Sequence, residues 1–294
     1  MSSERSDEPD SGQWTNEAAI QQWGVMPRAA LEAMDPDGDF SKRHLVNPVF
    51  LRMLGDLRGR RILDAGCGQG YFSRMLAERG AEVVGVEPGS TLIGYAQEKE
   101  QERRQGICYL QADMSRGWND SGEPPASHPA PAPLSAGESR LPGLAELPGL
   151  AELGGPFDAV VSGNVFQAVP DWKPVMAACV AALAAGGVFV FAIVHPCFEQ
   201  LSRSWREHGE YRVREYLADY EIPGPYASDF HRPLSAYLNE VIRLGCQLRE
   251  IAEPGLDPAV ADLPAGSDDR IHPYIHLPNF LIVAAERPAQ AVPA

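Results

Sequence analysis

The chain has 294 residues, 44% of them apolar, and a formal charge of −15 from 40 acids against 25 bases. That length holds one large α/β domain, or a core domain with an appended cap. The acidity argues against a general nucleic-acid binder, which needs a basic face, and no run approaches the ~20 apolar residues of a membrane span.

The opening "MSSERSDEPDSG" is polar and acidic, so residues 1–12 are read as a disordered N-terminus and not as a secretory leader. Residues 13–57 form a helical segment, in which Val49, Phe50, Met53, Leu54 and Leu57 fall at helical spacing. The pattern then changes, and 58–287 reads as one domain. "RILDAG" is a short apolar strand and "YFSRMLAERG" a helix closed by Gly80. "EVVGVE", "ICYLQAD" and "FDAVVSG" are further strands, with the helix "TLIGYAQEKEQERRQ" between the first two. The helix "WKPVMAACVAALAAGG" leads into the long apolar strand "VFVFAIV". Near the end, the helix "RPLSAYLNEVIRLG" precedes two strands, "CQLREIAEP" and "NFLIVAAER", and 288–294 is a tail. Strands alternating with helices of this length mean βαβ units and a doubly wound, Rossmann-like α/β sheet. Residues 115–156, rich in Pro, Gly, Ser and Ala and ending in two copies of "PGLAEL", read as a flexible insertion.

The five cysteines (Cys67, Cys108, Cys179, Cys197 and Cys246) are scattered with no CxxC pair. Neither a disulfide framework nor a zinc site is expected, and no metal is assigned. His272 and His276 are separated by Pro273 and followed by Pro278, so they share no helical face. A reducing, cytoplasmic setting is the expectation.

The stretch "ILDAGCGQGYF", 62–72, carries the chemistry. A glycine-rich turn between a first strand and helix lets a ligand approach backbone N–H groups closely. Dinucleotides and S-adenosylmethionine both use this arrangement. The dinucleotide pattern G-x-G-x-x-G would need Gly at 71, where the chain has Tyr71. The acid Asp64 would repel a pyrophosphate and attract the α-ammonium of S-adenosylmethionine. Glu87 ends the second strand, 21 residues after Gly66, where a carboxylate can accept from both ribose hydroxyls. Asp113 ends the third strand, placed to accept from the adenine amine, with Met114 packing on the ring. In a doubly wound sheet these strand ends meet at one crevice.

On these residues the chain resembles the class I S-adenosylmethionine-dependent methyltransferases over roughly 45–287: "LDAGCGQG", "VVGVEPG", "LQADM" and "FDAVVSGNVFQAVPDW" are similar to that family's first four motifs. The resemblance implies a seven-stranded sheet whose last strand is antiparallel. It also implies that S-adenosylmethionine is held by Asp64, Gly66, Cys67, Gly68, Gly70, Tyr71, Glu87, Pro88, Asp113 and Met114. Asn164 and Phe166 would lie beside the methionine end, with Arg43 and His44 as candidates for its carboxylate.

Methyl transfer needs a nucleophile held in line near the methyl, and a base only where the acceptor must lose a proton. His195, at the end of the fifth strand, and His231, before the late helix, are the candidate bases. Residues 196–231 read as a helical, aromatic cap over the C-terminal strand ends: seven aromatics occupy the 35 residues 196–230. Phe198, Tyr220, Tyr226 and Arg232 are its candidate substrate contacts, joined by Trp23, with Trp14 as a further wall. The expected reaction is methylation at oxygen or nitrogen of a small, natural-product-like acceptor, by a monomer or homodimer that needs neither nucleic acid nor membrane. Carbon methylation, a protein or peptide substrate, and a non-catalytic cofactor-binding protein remain open alternatives.

Overall fold

The computed structural model describes residues 14–119, 147–261 and 272–289. The expected disorder of 1–12 and most of the 115–156 insertion lie outside these residues. The insertion's two described ends meet: Trp118 bridges Leu147, and its indole N–H donates to the Ala178 carbonyl at 2.8 Å.

Two short helices, α1 (Asn16–Trp23) and α2 (Arg28–Glu32), come first. The Thr15 hydroxyl caps α1 by accepting from the Ala18 N–H. A π-helical turn, Lys42–Val46, runs straight into α3 (Asn47–Leu54), so Pro48 lies within a continuous helical run, where it has no N–H to donate. The domain proper then follows as β1 (Arg61–Ala65), α4 (Tyr71–Ala77), β2 (Glu82–Val86), α5 (Ser90–Glu102), β3 (Cys108–Leu110), β4 (Phe157–Gly163), α6 (Trp172–Ala182) and β5 (Leu183–Val194). The cap contains α7 (Leu201–His208) and a hairpin of β6 (Tyr220–Ile222) and β7 (Asp229–His231). The chain closes with α8 (Leu234–Arg243), β8 (Gln247–Ala252), α9 (Pro258–Ala261) and β9 (Phe280–Glu286).

The main sheet has seven strands in the order β3-β2-β1-β4-β5-β9-β8. The first five are parallel, and β9 is antiparallel to both its neighbours, as the resemblance implied. Helices cover both faces, so successive residues of one strand go to opposite cores. Ile62 packs with Phe50, Phe72 and Val161, while Leu63 packs with Val160, Phe189 and Met176. Because strand order reverses between β1 and β4, their C-terminal ends open a crevice at that point.

One boundary differs from expectation. The helix α6 stops at Ala182, and "LAAGG" joins β5 with a register shift opposite Phe157 and Ala159. Gly186 takes φ +78, and a Cβ on Gly187 would press on the carbonyls of Ala184 and Phe157. These glycines serve a bulge and do not end a helix. Among the described residues, no helix is long and apolar enough to cross a membrane.

Candidate functional site

The glycine turn after β1 is pinned before any ligand arrives. The N–H groups of Gly66 and Cys67 both donate to the Val86 carbonyl, at 2.8 and 3.0 Å, which ties the turn to the end of β2. Gly66, Gly68 and Gly70 all have positive φ, a region that side chains avoid. At Gly66 a Cβ would collide with Val165, and at Gly70 it would meet the Tyr109 hydroxyl. At Gly68, by contrast, no heavy atom lies within 4 Å of such a Cβ, so the turn presents open space there.

That space belongs to a cavity of about 220 Å³ lined by Asp64, Gly66, Cys67, Gly68, Tyr71, Glu87, Pro88, Asp113, Met114 and Asn164. The three acids sit at the tips of three adjacent strands. Asp64 Oδ2 accepts from the Ser73 hydroxyl at 2.6 Å. Glu87 accepts from two backbone N–H groups, Gly68 at 3.1 Å and Gly89 at 2.8 Å. Asp113 accepts from the Ser115 N–H at 2.9 Å. Burial pushes the Asp64 carboxyl up to about 6 against the pull of Ser73. Burial likewise pushes Glu87 up to about 7, with the Asp64 charge adding to the rise. Desolvated carboxylates and an open glycine cradle suit a ligand rich in hydroxyl and N–H donors. They repel a phosphate.

The rest of the wall comes from the N-terminal segment. Asn16, Ile20, Trp23 and Met26 line the cavity from α1 and the turn after it. This roof is tied down on every side. The Asn16 side chain donates to the Asp171 carbonyl at 3.2 Å and accepts from its N–H at 2.9 Å. The Ser228 N–H donates to Gln22, the Thr91 hydroxyl to the Gly24 carbonyl, and the Gln69 amide to the Leu31 carbonyl.

Several sequence expectations are corrected by placement. Arg43 donates to Asp37 and to the Gly38 carbonyl, and His44 packs on Phe40 at 4.6 Å; neither lines the cavity. Lys42 lines it instead, with Nζ 2.6 Å from Asp39. Phe166 is fully buried in the core, edge-on to Phe189 and Phe191, and Val165 takes the cavity position. Gly70 is not a wall residue; it opens α4 in the left-handed conformation.

Neither candidate base reaches the cavity. His195 is buried, donates from Nε2 to Glu253 at 2.7 Å and accepts at Nδ1 from the Cys197 N–H at 3.1 Å. Burial lowers its pKa against the pull of Glu253. His231 donates from Nδ1 to Glu199 at 2.5 Å and from Nε2 to the Tyr216 carbonyl at 2.9 Å. Burial opposes its charge, but those two acceptors outweigh it and raise the pKa. Phe198 lies between His195 and Tyr211, at 5.1 and 5.4 Å, and Tyr226 is exposed. Tyr220 stacks on His231 at 4.5 Å. Arg232 is buried and donates to the carbonyls of Phe166, Val169 and Pro170. Tyr220, His231 and Arg232 do share a second cavity of about 250 Å³, walled also by Trp14, Trp172 and Phe230.

A family model described as a methyltransferase domain matches residues 41–226, more than half of the chain. A ubiquinone biosynthesis O-methyltransferase of Methylococcus capsulatus is 29% identical over 164 residues, which are 55% of this chain and 56% of that protein. The chain thus matches little more than half the length of such relatives. Among solved structures, an S-adenosylmethionine-dependent methyltransferase from Mesorhizobium loti aligns with TM-score 0.59 and 24% identity, over 82% of this chain and 96% of that one. Magnesium protoporphyrin IX methyltransferase from Synechocystis, solved with S-adenosylmethionine bound, aligns with TM-score 0.52 and 13% identity, over 96% of this chain and all of that one.

Proposed function

Because the chain belongs to the methyltransferase domain family, we propose that it transfers a methyl group from S-adenosylmethionine to oxygen or nitrogen of a small organic acceptor. The observation that carries this reading is the set of three buried acids, Asp64, Glu87 and Asp113, converging with Gly68 on one cavity. Glu87 holds the ribose hydroxyls and Asp113 the adenine amine, with Met114 against the ring. Asp64 receives the ammonium, and Lys42 receives the carboxylate that Arg43 and His44 do not face. When bound, S-adenosylmethionine supplies an activated methyl on its sulfonium. The chain's own work is to hold the acceptor in line and exclude water, an orientation effect that is worth up to ~7–11 kcal/mol. Trp23, Ile20 and Met26 in the roof give the acceptor an apolar wall.

Proton removal is assigned to neither histidine, since both rings are engaged outside this cavity. Burial also pushes the Cys67 thiol and the Tyr71 hydroxyl well above their usual ranges, so neither ionises near neutrality. An acceptor that arrives ionised, or that gives its proton to water, fits this wall. The relatives named as O-methyltransferases support oxygen as the acceptor atom, and the natural-product character of the acceptor rests on the apolar roof.

Calorimetric titration with S-adenosylhomocysteine, on the wild type and Glu87→Ala, tests the reading. Losing hydrogen bonds to a charged acceptor weakens binding by about 1.5–3 kcal/mol. No binding by the wild type would remove the cofactor assignment and the reaction with it.

A further inference from the structure

We propose that Asp35 and Arg74 are positioning residues for the cofactor turn, acting through Gln69 to hold the turn in the shape that meets the ligand. The assignment rests on the cofactor reading of the cavity. Neither Asp35 nor Arg74 lines that cavity, whereas Gln69 does, between the open Gly68 and the left-handed Gly70.

A turn with glycines at 66, 68 and 70, all at positive φ, has little side-chain bulk to hold its shape. Glycine also loses more freedom on ordering than any other residue. The first half is fixed by backbone, where Gly66 and Cys67 meet the Val86 carbonyl. The second half is closed by one backbone bond, from the Gly70 N–H to the Cys67 carbonyl at 3.0 Å, and by the side chain of Gln69.

Gln69 is 2% exposed, and its amide is answered at both ends. Nε2 donates to the Leu31 carbonyl and to Asp35 Oδ1, both at 3.3 Å. Oε1 accepts from Arg74 Nη2 at 2.8 Å, and the Gln69 backbone carbonyl accepts from Arg74 Nη1 at 2.9 Å. One guanidinium thus grips side chain and backbone of the same residue, a fork that lysine cannot reproduce. Arg74 also donates to Asp35 Oδ1, and the other Asp35 oxygen accepts from the Tyr95 hydroxyl at 2.6 Å.

The members of this network come from separate elements. Arg74 stands on α4, Tyr95 on α5 and Asp35 in the segment after α2. That segment is also held by apolar packing, with Met26 and Leu31 against Leu92 and Tyr95. Its attachment therefore does not depend on the ion pair alone. A buried pair replaced as a whole by neutral groups often costs the fold little, because desolvation offsets the attraction. What the pair supplies is one geometry for Gln69, and a turn already ordered binds its ligand without meeting that ordering cost again.

The test is calorimetric titration of the full chain with S-adenosylhomocysteine, beside thermal melts of each variant. The double variant Asp35→Asn/Arg74→Met strands no charge, so it is expected to melt near the wild type yet bind about tenfold more weakly. Gln69→Ala weakens the ligand by a similar factor. Added to the double variant it weakens binding no further, because the pair acts through Gln69; a merely structural loss would multiply. Arg74→Lys, which keeps the charge but not the fork, recovers only part of the affinity. Wild-type affinity in the double variant overturns the proposal, and so do losses that multiply when Gln69→Ala is added. If the double variant does not fold, wild-type affinity in Gln69→Ala and Arg74→Lys overturns it equally. Glu87→Ala probes the cofactor reading separately. Binding lost in Glu87→Ala but intact in the double variant removes this proposal alone, whereas a wild type that does not bind removes both.

Discussion

Binding of the cofactor product should release protons, and the number follows from the cavity. Burial holds Asp64 at about 6 and Glu87 at about 7 in the free protein. At pH 6.5 the two groups together therefore carry about one proton, roughly three quarters of it on Glu87. Ribose hydroxyls and an ammonium donate to the ionised forms, so a ligand bringing these donors expels that proton. Titration with S-adenosylhomocysteine at pH 6.5, in two buffers of different ionisation enthalpy, is expected to show about one proton released per site. The affinity should also tighten by about 20-fold between pH 6 and 8, tenfold from Glu87 and twofold from Asp64. Glu87→Gln should abolish most of the release while leaving the Asp64 share. Heats independent of the buffer, with an affinity flat from pH 6 to 8, would refute the reasoning. They would mean that the N–H groups of Gly68 and Gly89 already keep Glu87 ionised before the ligand binds.

In the unliganded protein the same carboxyl works in the opposite sense. Its folded pKa lies above the ordinary value, so its stabilising contribution is full below pH 4.5 and lost as pH rises through about 7. Thermal or urea denaturation should show a fall of about 3 kcal/mol from this group across that window, removed in Glu87→Gln. His231→Ala strands Glu199 in a buried position and should cost about 3 kcal/mol at pH 6. Because the His231 pKa is raised, the pair's contribution is present below the unfolded value and fades as pH rises through the folded one, so the mutant deficit in urea melts should shrink at high pH. Gly66→Ala meets both a positive φ and Val165, and should lose about 2–4 kcal/mol in denaturant melts; Gly68→Ala has room and should fold more nearly like the wild type, yet bind S-adenosylhomocysteine poorly. Lys42→Ala should weaken S-adenosylhomocysteine by about tenfold in the same titration, whereas Arg43→Ala should leave it unchanged.

The parts of the site that were readable in the sequence are those where one residue type answers one backbone demand. Strands β1, β2 and β4 are apolar runs ended by glycine or acid, and the turn at Gly66 and Gly68 takes positive φ. Asp64, Glu87 and Asp113 stand at strand ends whatever the details of packing. The misplacements have a common origin, which is a change of helical or strand phase that composition does not reveal. The π-helical turn at Lys42–Val46 holds more residues per turn than an α-helix, so the side chain that faces the cavity is Lys42 and not Arg43 or His44. Strand alternation would put Asn164 and Phe166 on one face. The positive φ at Asn164 ends that alternation, sending Val165 to the cavity and Phe166 to the core. The cap aromatics were equally ambiguous, since a tyrosine that lines a cavity and one that packs a hairpin have the same composition.

The roof accounts for the placement of both histidines outside the cavity. Chain order places His195 at the end of the fifth strand, where an open sheet puts its chemistry, and His231 just before the late helix. That rule presumes that the segment following β5 covers the crevice. Here α1 covers it instead, held to the start of α6 by the Asn16–Asp171 pair and to the cap hairpin by Gln22 and Ser228. The cap residues Tyr220, Phe230 and His231 line a second cavity instead. His195 and His231 then find fixed partners in Glu253, Glu199 and the Tyr216 carbonyl. On the proposed function, Trp23, Ile20 and Met26, which line the cavity, are the residues that set acceptor specificity, and exchange of this short N-terminal segment should alter which acceptor is methylated.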